Sequence, residues 1–132
     1  MPIILTREMF SISVDGARGE IRIWRRPELD SATGARNASE LAEEGAKLPS
    51  RGVREIVVDL RAAPGIAGPK TTASMGAMFG QWAAAKVRIA VLISDDPLMA
   101  LQYRRLVTEH APKSACVTTS PAEIDRWFAA SG

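Results

Sequence analysis

Two short apolar runs, Glu55-Ile56-Val57-Val58-Asp59-Leu60 and Val87-Arg88-Ile89-Ala90-Val91-Leu92-Ile93, constrain this chain more than anything else in it. Each is nearly continuous rather than alternating, so each predicts a central strand whose two faces are both covered. Between them the period changes. Met75, Met78, Phe79 and Trp82 recur at i, i+3, i+4 and i+7, which sets them on one face of a helix. Pro69 suits the first helical position, so that helix is expected over 69–84. A strand, a helix and a strand in this order pair the two strands in parallel through a right-handed crossover.

The pattern extends in both directions. Residues 9–14 and 20–24 alternate apolar and polar around Asp15-Gly16-Ala17-Arg18-Gly19, whose two glycines can take positive φ. This predicts an antiparallel hairpin with Phe10, Ile12, Val14, Ile21 and Ile23 on its inner side. Pro27 ends it, and good helix formers run from Asp30 to about Lys47 with a thin stripe of Ala38, Leu41, Ala42 and Leu48. Pro49-Ser50-Arg51-Gly52 stops that helix. Downstream, Asp96 is an N-cap with Pro97 just inside, and Met99, Tyr103, Leu106 and Val107 keep helical spacing until Pro112. Residues 115–118 form a short strand. Ser120-Pro121-Ala122-Glu123 reads as a capping box opening a last helix, with Ile124, Trp127 and Phe128 turned inward. The order β-β-α-β-α-β-α-β-α predicts an α/β fold: a mixed five-stranded sheet with a leading hairpin and about four helices. A chain of 132 residues without repeats or linkers makes one domain.

Composition excludes several functions. A formal net charge of +2, with Arg and Lys interleaved among acids, argues against nucleic acid. The single cysteine, Cys116, can form no disulfide within the chain and no metal site by itself, and in Ala115-Cys116-Val117 it reads as a small core hydrophobe. No apolar run approaches the ~20 residues of a membrane span. No basic, apolar and cleavage-site sequence opens the chain, so a cytoplasmic location is expected. Walker and G-x-G-x-x-G spacings are absent, and no cofactor or metal is expected.

The element order, together with Val58-Asp59-Leu60-Arg61, the Gly68-Pro69 helix start with Trp82 near its end, Ile89–Leu92 running into Asp95-Asp96-Pro97, and Ala122-Glu123 followed by Trp127, resembles the STAS fold. That is the fold of bacterial anti-sigma-factor antagonists and of their stand-alone SpoIIAA-like or Sec14-like relatives, and the resemblance covers about residues 9–130. It implies a non-enzymatic regulatory or protein-interaction module. In the antagonists an Asp-Ser pair at the helix start is phosphorylated by a partner kinase. The corresponding positions here read Ile66-Ala67-Gly68-Pro69, so that pair is missing. Thr71 and Thr72, a turn inside the helix, are the only candidate substitutes as phosphoacceptors; the structural alternative is a hydroxyl bonded to the backbone.

Ligands of open α/β sheets gather at the carboxyl ends of the strands. The expected interaction surface is therefore Arg61, Ile66, Gly68, Lys70, Thr71 and Thr72, at a helix start that could also attract an anion. The Met75, Met78, Phe79 and Trp82 stripe is core under the sheet or, in a Sec14-like reading, the lining of an apolar or lipid-like ligand site. Gly76 and Gly80 inside the same helix call for close approach of a neighbouring backbone, from this chain or from a second subunit in a homodimer. Catalysis finds little support. His110, the only histidine, ends a helix, where it can face the last carbonyls. Asp59 with Asp95 and Asp96 resembles a receiver-like acidic pocket, although Asp96 is better spent as a cap. A protein-interaction module is the leading expectation. A small carrier of an apolar ligand is the alternative, and an open apolar space beneath Met75, Met78 and Trp82 would favour it.

Overall fold

The computed structural model of the chain describes residues 3–65 and 67–130. The strands are β1 (Ile3–Thr6), β2 (Phe10–Asp15), β3 (Arg18–Trp24), β4 (Glu55–Ala62), β5 (Arg88–Leu92) and β6 (Ala115–Thr118). The helices are α1 (Ser31–Gly45), α2 (Pro69–Ala84), α3 (Pro97–His110) and α4 (Pro121–Ala129). All strands join one sheet in chain order, antiparallel from β1 to β3 and parallel from β3 to β6. The sheet thus has six strands where five were expected. β1 reads Ile-Ile-Leu-Thr, without alternation, and Ile3 and Ile4 are exposed. It is a strand because the edge of β2 offers it a ladder, a cause that its own side chains do not encode.

Strand order explains where the core lies. Successive right-handed crossovers that all step in one direction deliver their helices to the same face. Ile12, Ile21, Ile56, Val58, Ile89 and Val91 accordingly point toward α1, α2 and α3, and with Leu41, Phe79, Trp82 and Met99 they form the main core. α4 returns to the opposite face, where Ile124 and Phe128 pack on Ala90 and Leu92. The expected double coverage therefore holds for β5 but only in part for β4. Outward from β4, Val57 is half-buried and Asp59 is held by Arg61. Ser11, Ser13, Glu20 and Arg22 continue this polar surface across β2 and β3.

Several local expectations need correction. Gly16 takes positive φ in the hairpin turn, but Gly19 is a buried strand residue opposite Val14. α1 ends at Gly45, and Pro49–Arg51 is a separate 3-10 turn closed by Gly52 at φ 87°. The capping box does not form: Ser120 caps α4 without a side-chain bond. Thr118 takes over, accepting from Ser120 N at 3.0 Å and donating to Glu123 Oε2 at 2.8 Å. Trp127 turns inward as expected but stays half-buried, packed against the Ala90, Leu92, Ile124 and Phe128 cluster with its ring 3.8 Å from the Arg88 guanidinium carbon. A cation over an indole face explains that placement.

Candidate functional site

The carboxyl ends of β3 and β4 open into a pocket of about 220 Å³ between α1 and α2. Its floor is the sheet: Phe10 at the start of β2, Ile23 at the end of β3 and Leu60 near the end of β4. α1 contributes Ala38 and Leu41, and α2 contributes Thr71, Ser74 and Met75. Tyr103 of α3 closes the deep side, and Arg25, just past β3, stands at the mouth. The walls are mostly apolar with few polar groups, the usual make-up of a small-molecule site. The volume exceeds the roughly 150 Å³ of an apolar cavity that accommodates benzene.

Each wall is fixed by its own hydrogen bonds. Asp30 caps α1 by accepting from Thr33 N at 2.7 Å. Asn37, buried on the same helix, accepts from Met9 N and donates to Glu8 Oε1 and to Thr33 O, all at 3.0 Å. That ties α1 to the chain entering β2. The loop after β4 is tied to α3: Gln102 accepts from Ala67 N and donates to Ala67 O, both at 2.9 Å. Asp96, while capping α3 through Leu98 N and Met99 N, also accepts from Gly65 N at 3.2 Å. Gly65 sits at φ 95°, and a Cβ there would lie 3.2 Å from Arg25 Nη2, so glycine lets the guanidinium rest on the loop.

Tyr103 is the least expected member. It is only 4% exposed, and no hydrogen bond to its hydroxyl is found among the described residues. Burial pushes its phenol up to about 12, against a smaller opposing pull from the charge of Arg25. The hydroxyl is therefore a neutral donor at ordinary pH. Helical spacing alone marks Tyr103 as core; only the shape of the pocket shows that its polar end meets open space.

The sequence-predicted residues divide. Gly68 and Thr71 line the pocket, Lys70 is exposed beside it, and Ile66 lies outside the described residues. Thr72 donates to Gly68 O at 2.9 Å, the backbone-bonded alternative, and accepts from Gln102 Nε2 at 3.3 Å. Arg61 belongs elsewhere: its forked bonds to Asp59 at 3.0 and 2.9 Å lie on the opposite face of the sheet. Burial pushes the Asp59 carboxyl up, but the bonds from the Arg61 side chain and backbone and the charges of Arg61 and Arg22 outweigh it and leave the group below its usual value. Asp59 and Asp96 thus serve different partners and make no shared acidic pocket. The amides of Gly65 and Ala67 are occupied by Asp96 and Gln102, which removes two donors from the anion reading.

Of the apolar stripe, Met75 lines the pocket, while Met78, Phe79 and Trp82 fill closed core. Gly76 and Gly80 meet the end of α3. A Cβ on Gly76 would fall 2.5 Å from His110 Nε2, and one on Gly80 would fall 3.8 Å from His110 O. That contact accounts for Gly76 within one chain, whereas at Gly80 the distance is ordinary van der Waals contact and would admit a Cβ. It also holds the only histidine about two turns beyond Tyr103 along α3. Burial pushes the Cys116 thiol up, away from a reactive thiolate. Among the described residues no group of His, Cys, Asp and Glu side chains could hold a metal ion, and no helix is long and apolar enough to cross a membrane.

Comparison with protein-family models, with curated proteins and with solved structures found no match for this chain.

Proposed function

We propose that this protein is a non-enzymatic binder of a small apolar ligand, held at the carboxyl end of the sheet between α1 and α2. The observation that carries the reading is the open apolar space beside Met75, bounded by Phe10, Leu41 and Leu60. A concave, mostly apolar space with few polar groups is the usual form of a small-molecule site. Its position agrees with the general rule for open α/β sheets. The test is calorimetric titration with octan-1-ol, alongside the variants Ala38→Leu and Ser74→Leu, which fill the space from opposite walls. Saturable binding to the wild type that both variants lose supports the reading. No heat up to about 1 mM ligand, the weak limit of specific small-ligand binding, would contradict it.

A second reading is favoured by a different observation. Leu98 and Leu101 are 59% and 57% exposed on α3, flanking a shallow groove shared with Thr72, Gln102 and Arg105. Large apolar residues side by side in water often mark an interaction site. The same Gln102 that borders this groove holds the loop over the pocket. In this reading the protein is a cytoplasmic regulatory module of STAS-like type whose protein partner docks on α3 and on the start of α2. A partner that copurifies with the wild type and is lost from Leu98→Asp and Leu101→Asp, with folding unchanged, supports it. Retention by both variants would contradict it.

A further inference from the structure

One wall of the pocket is held by side chains that do not line it. Gly65, Ala67 and Gly68 form the wall that follows β4. Neither Gly65 nor Ala67 makes a backbone–backbone hydrogen bond among the described residues. Two side chains of the α3 region answer their backbone groups instead. Asp96, the cap of α3, accepts from Gly65 N at 3.2 Å. Gln102 takes both backbone groups of Ala67, accepting from its N and donating to its O at 2.9 Å each, much as a neighbouring strand would. The same Nε2 donates to Thr72 Oγ1 at 3.3 Å, and Thr72 donates to Gly68 O at 2.9 Å. Neither Asp96 nor Gln102 lines the pocket. Gln102 borders the groove beside Leu98 and Leu101, so the wall is gripped from the outer surface of the protein.

The chemistry of that grip is specific to an amide. Oε1 can only accept and Nε2 can only donate, which matches the N–H and the carbonyl of one residue. A hydrocarbon side chain of the same length offers neither group. An ionised carboxylate keeps the acceptor but sets its second oxygen against Ala67 O, and a protonated carboxyl restores the donor. Asp96 divides its oxygens between the wall and the start of α3, whereas the Gln102 amide bonds only to Ala67 and Thr72 among the described residues. We infer that Gln102 is a positioning residue for the pocket: its amide holds Ala67 directly and Gly68 through Thr72, and so fixes the wall against which an apolar ligand seats. A site whose wall is set in advance binds more tightly than one the ligand must first order. This rests on the proposal that the pocket takes an apolar ligand, and adds a residue that governs its affinity without touching the ligand.

Calorimetric titration of the full chain with octan-1-ol, which carries no charge to titrate, reads the effect. Gln102→Met keeps the length of the side chain and should weaken binding about tenfold. Gln102→Glu should match it at pH 8 and regain most of the loss at pH 4, as its carboxyl, ordinarily near about 4.3, takes up a proton. The wild type should stay within about twofold over the same range. Urea unfolding at both pH values separates affinity from stability: a residue that served stability alone would move those curves and leave the octan-1-ol affinity of the folded protein in place. Should Gln102→Met fail to fold, the two pH values still compare Gln102→Glu with itself. Wild-type affinity in both variants at pH 8 would overturn the role given to Gln102 while leaving the ligand site intact. A loss in Gln102→Glu that persists at pH 4 would overturn it too, because the paired bonds to Ala67 would then not be what the ligand senses. No binding to the wild type would overturn the ligand site itself.

Discussion

The two halves of α2 rest on the same sheet and pack in opposite ways. Toward its end, Met78, Phe79 and Trp82 are fully buried, and the Trp82 indole donates to Gly45 O at 2.8 Å. Gly45 is what permits that fit: a Cβ there would lie 2.5 Å from Met78 Sδ and 3.3 Å from the Trp82 ring. Toward its beginning, α2 offers Gly68, Thr71 and Ser74, and α1 answers with Gly34, Ala38 and Ala42. Small side chains from both helices face one another there, and the space between them stays open. Residue volume, not hydrophobicity, makes one end core and the other a pocket.

The largest effect that would sharpen this contrast comes from the closed end. Trp82→Ala removes a fully buried ring and its hydrogen bond, and should lower stability by about 3–5 kcal/mol in urea unfolding. A loss under about 1 kcal/mol would mean that this end is loosely packed too.

Next in size is an alkaline effect at the open end. Tyr103 is the only tyrosine, and its folded value is raised to about 12 from the ordinary 10. A group raised in the folded state contributes stability that is complete below its unfolded value and is lost as pH climbs toward the folded one. Unfolding free energy should therefore fall between about pH 10 and pH 12 by up to about 1.4 kcal/mol per unit from this group. Tyr103→Phe should lack that component. Absorbance titration of the folded wild type reads the same ionisation, and a midpoint near 10 would show the phenol in water.

The smallest effect is the most discriminating. Gly45→Ala adds one methyl at the closed end and should cost about 1–3 kcal/mol through overpacking. Ala38→Leu adds more volume at the open end and should change stability by less than about 1 kcal/mol in either direction. Equal costs for the two would erase the difference between the ends.

How far the sequence foretells this can be read residue by residue. The periods of the main elements were legible, including the parallel pairing of β4 with β5 and the burial of Met75, Met78, Phe79 and Trp82 on one face of α2. β1 was not, because an edge strand with little burial needs no alternation. Trp127 keeps the place its helical spacing indicates, against Ala90, Leu92, Ile124 and Phe128, but Arg88 stacked on its ring leaves it only half-buried. The loop after β4 drew attention for its place at a strand end, yet Arg61 turns away from it toward Asp59. Strand parity alone put Arg61 and Asp59 on one side, since residues two apart share a face. Gly68, Thr71 and Met75, singled out from the sequence, do line the pocket, but its open volume lies beyond sequence reasoning. It depends on which small residues of α1 stand opposite which small residues of α2, a register between helices that no local pattern contains.

The chain has five methionines, and they report on both ends at once. Met9 and Met75 line the pocket, while Met78 and Met99 lie in the closed core. Methyl spectra of methionine-labelled protein during titration with octan-1-ol test the account most directly. The Met9 and Met75 methyls should shift and saturate together while those of Met78 and Met99 hold still. Shifts confined to Met78 and Met99, equal shifts at all four, or none at all would contradict it.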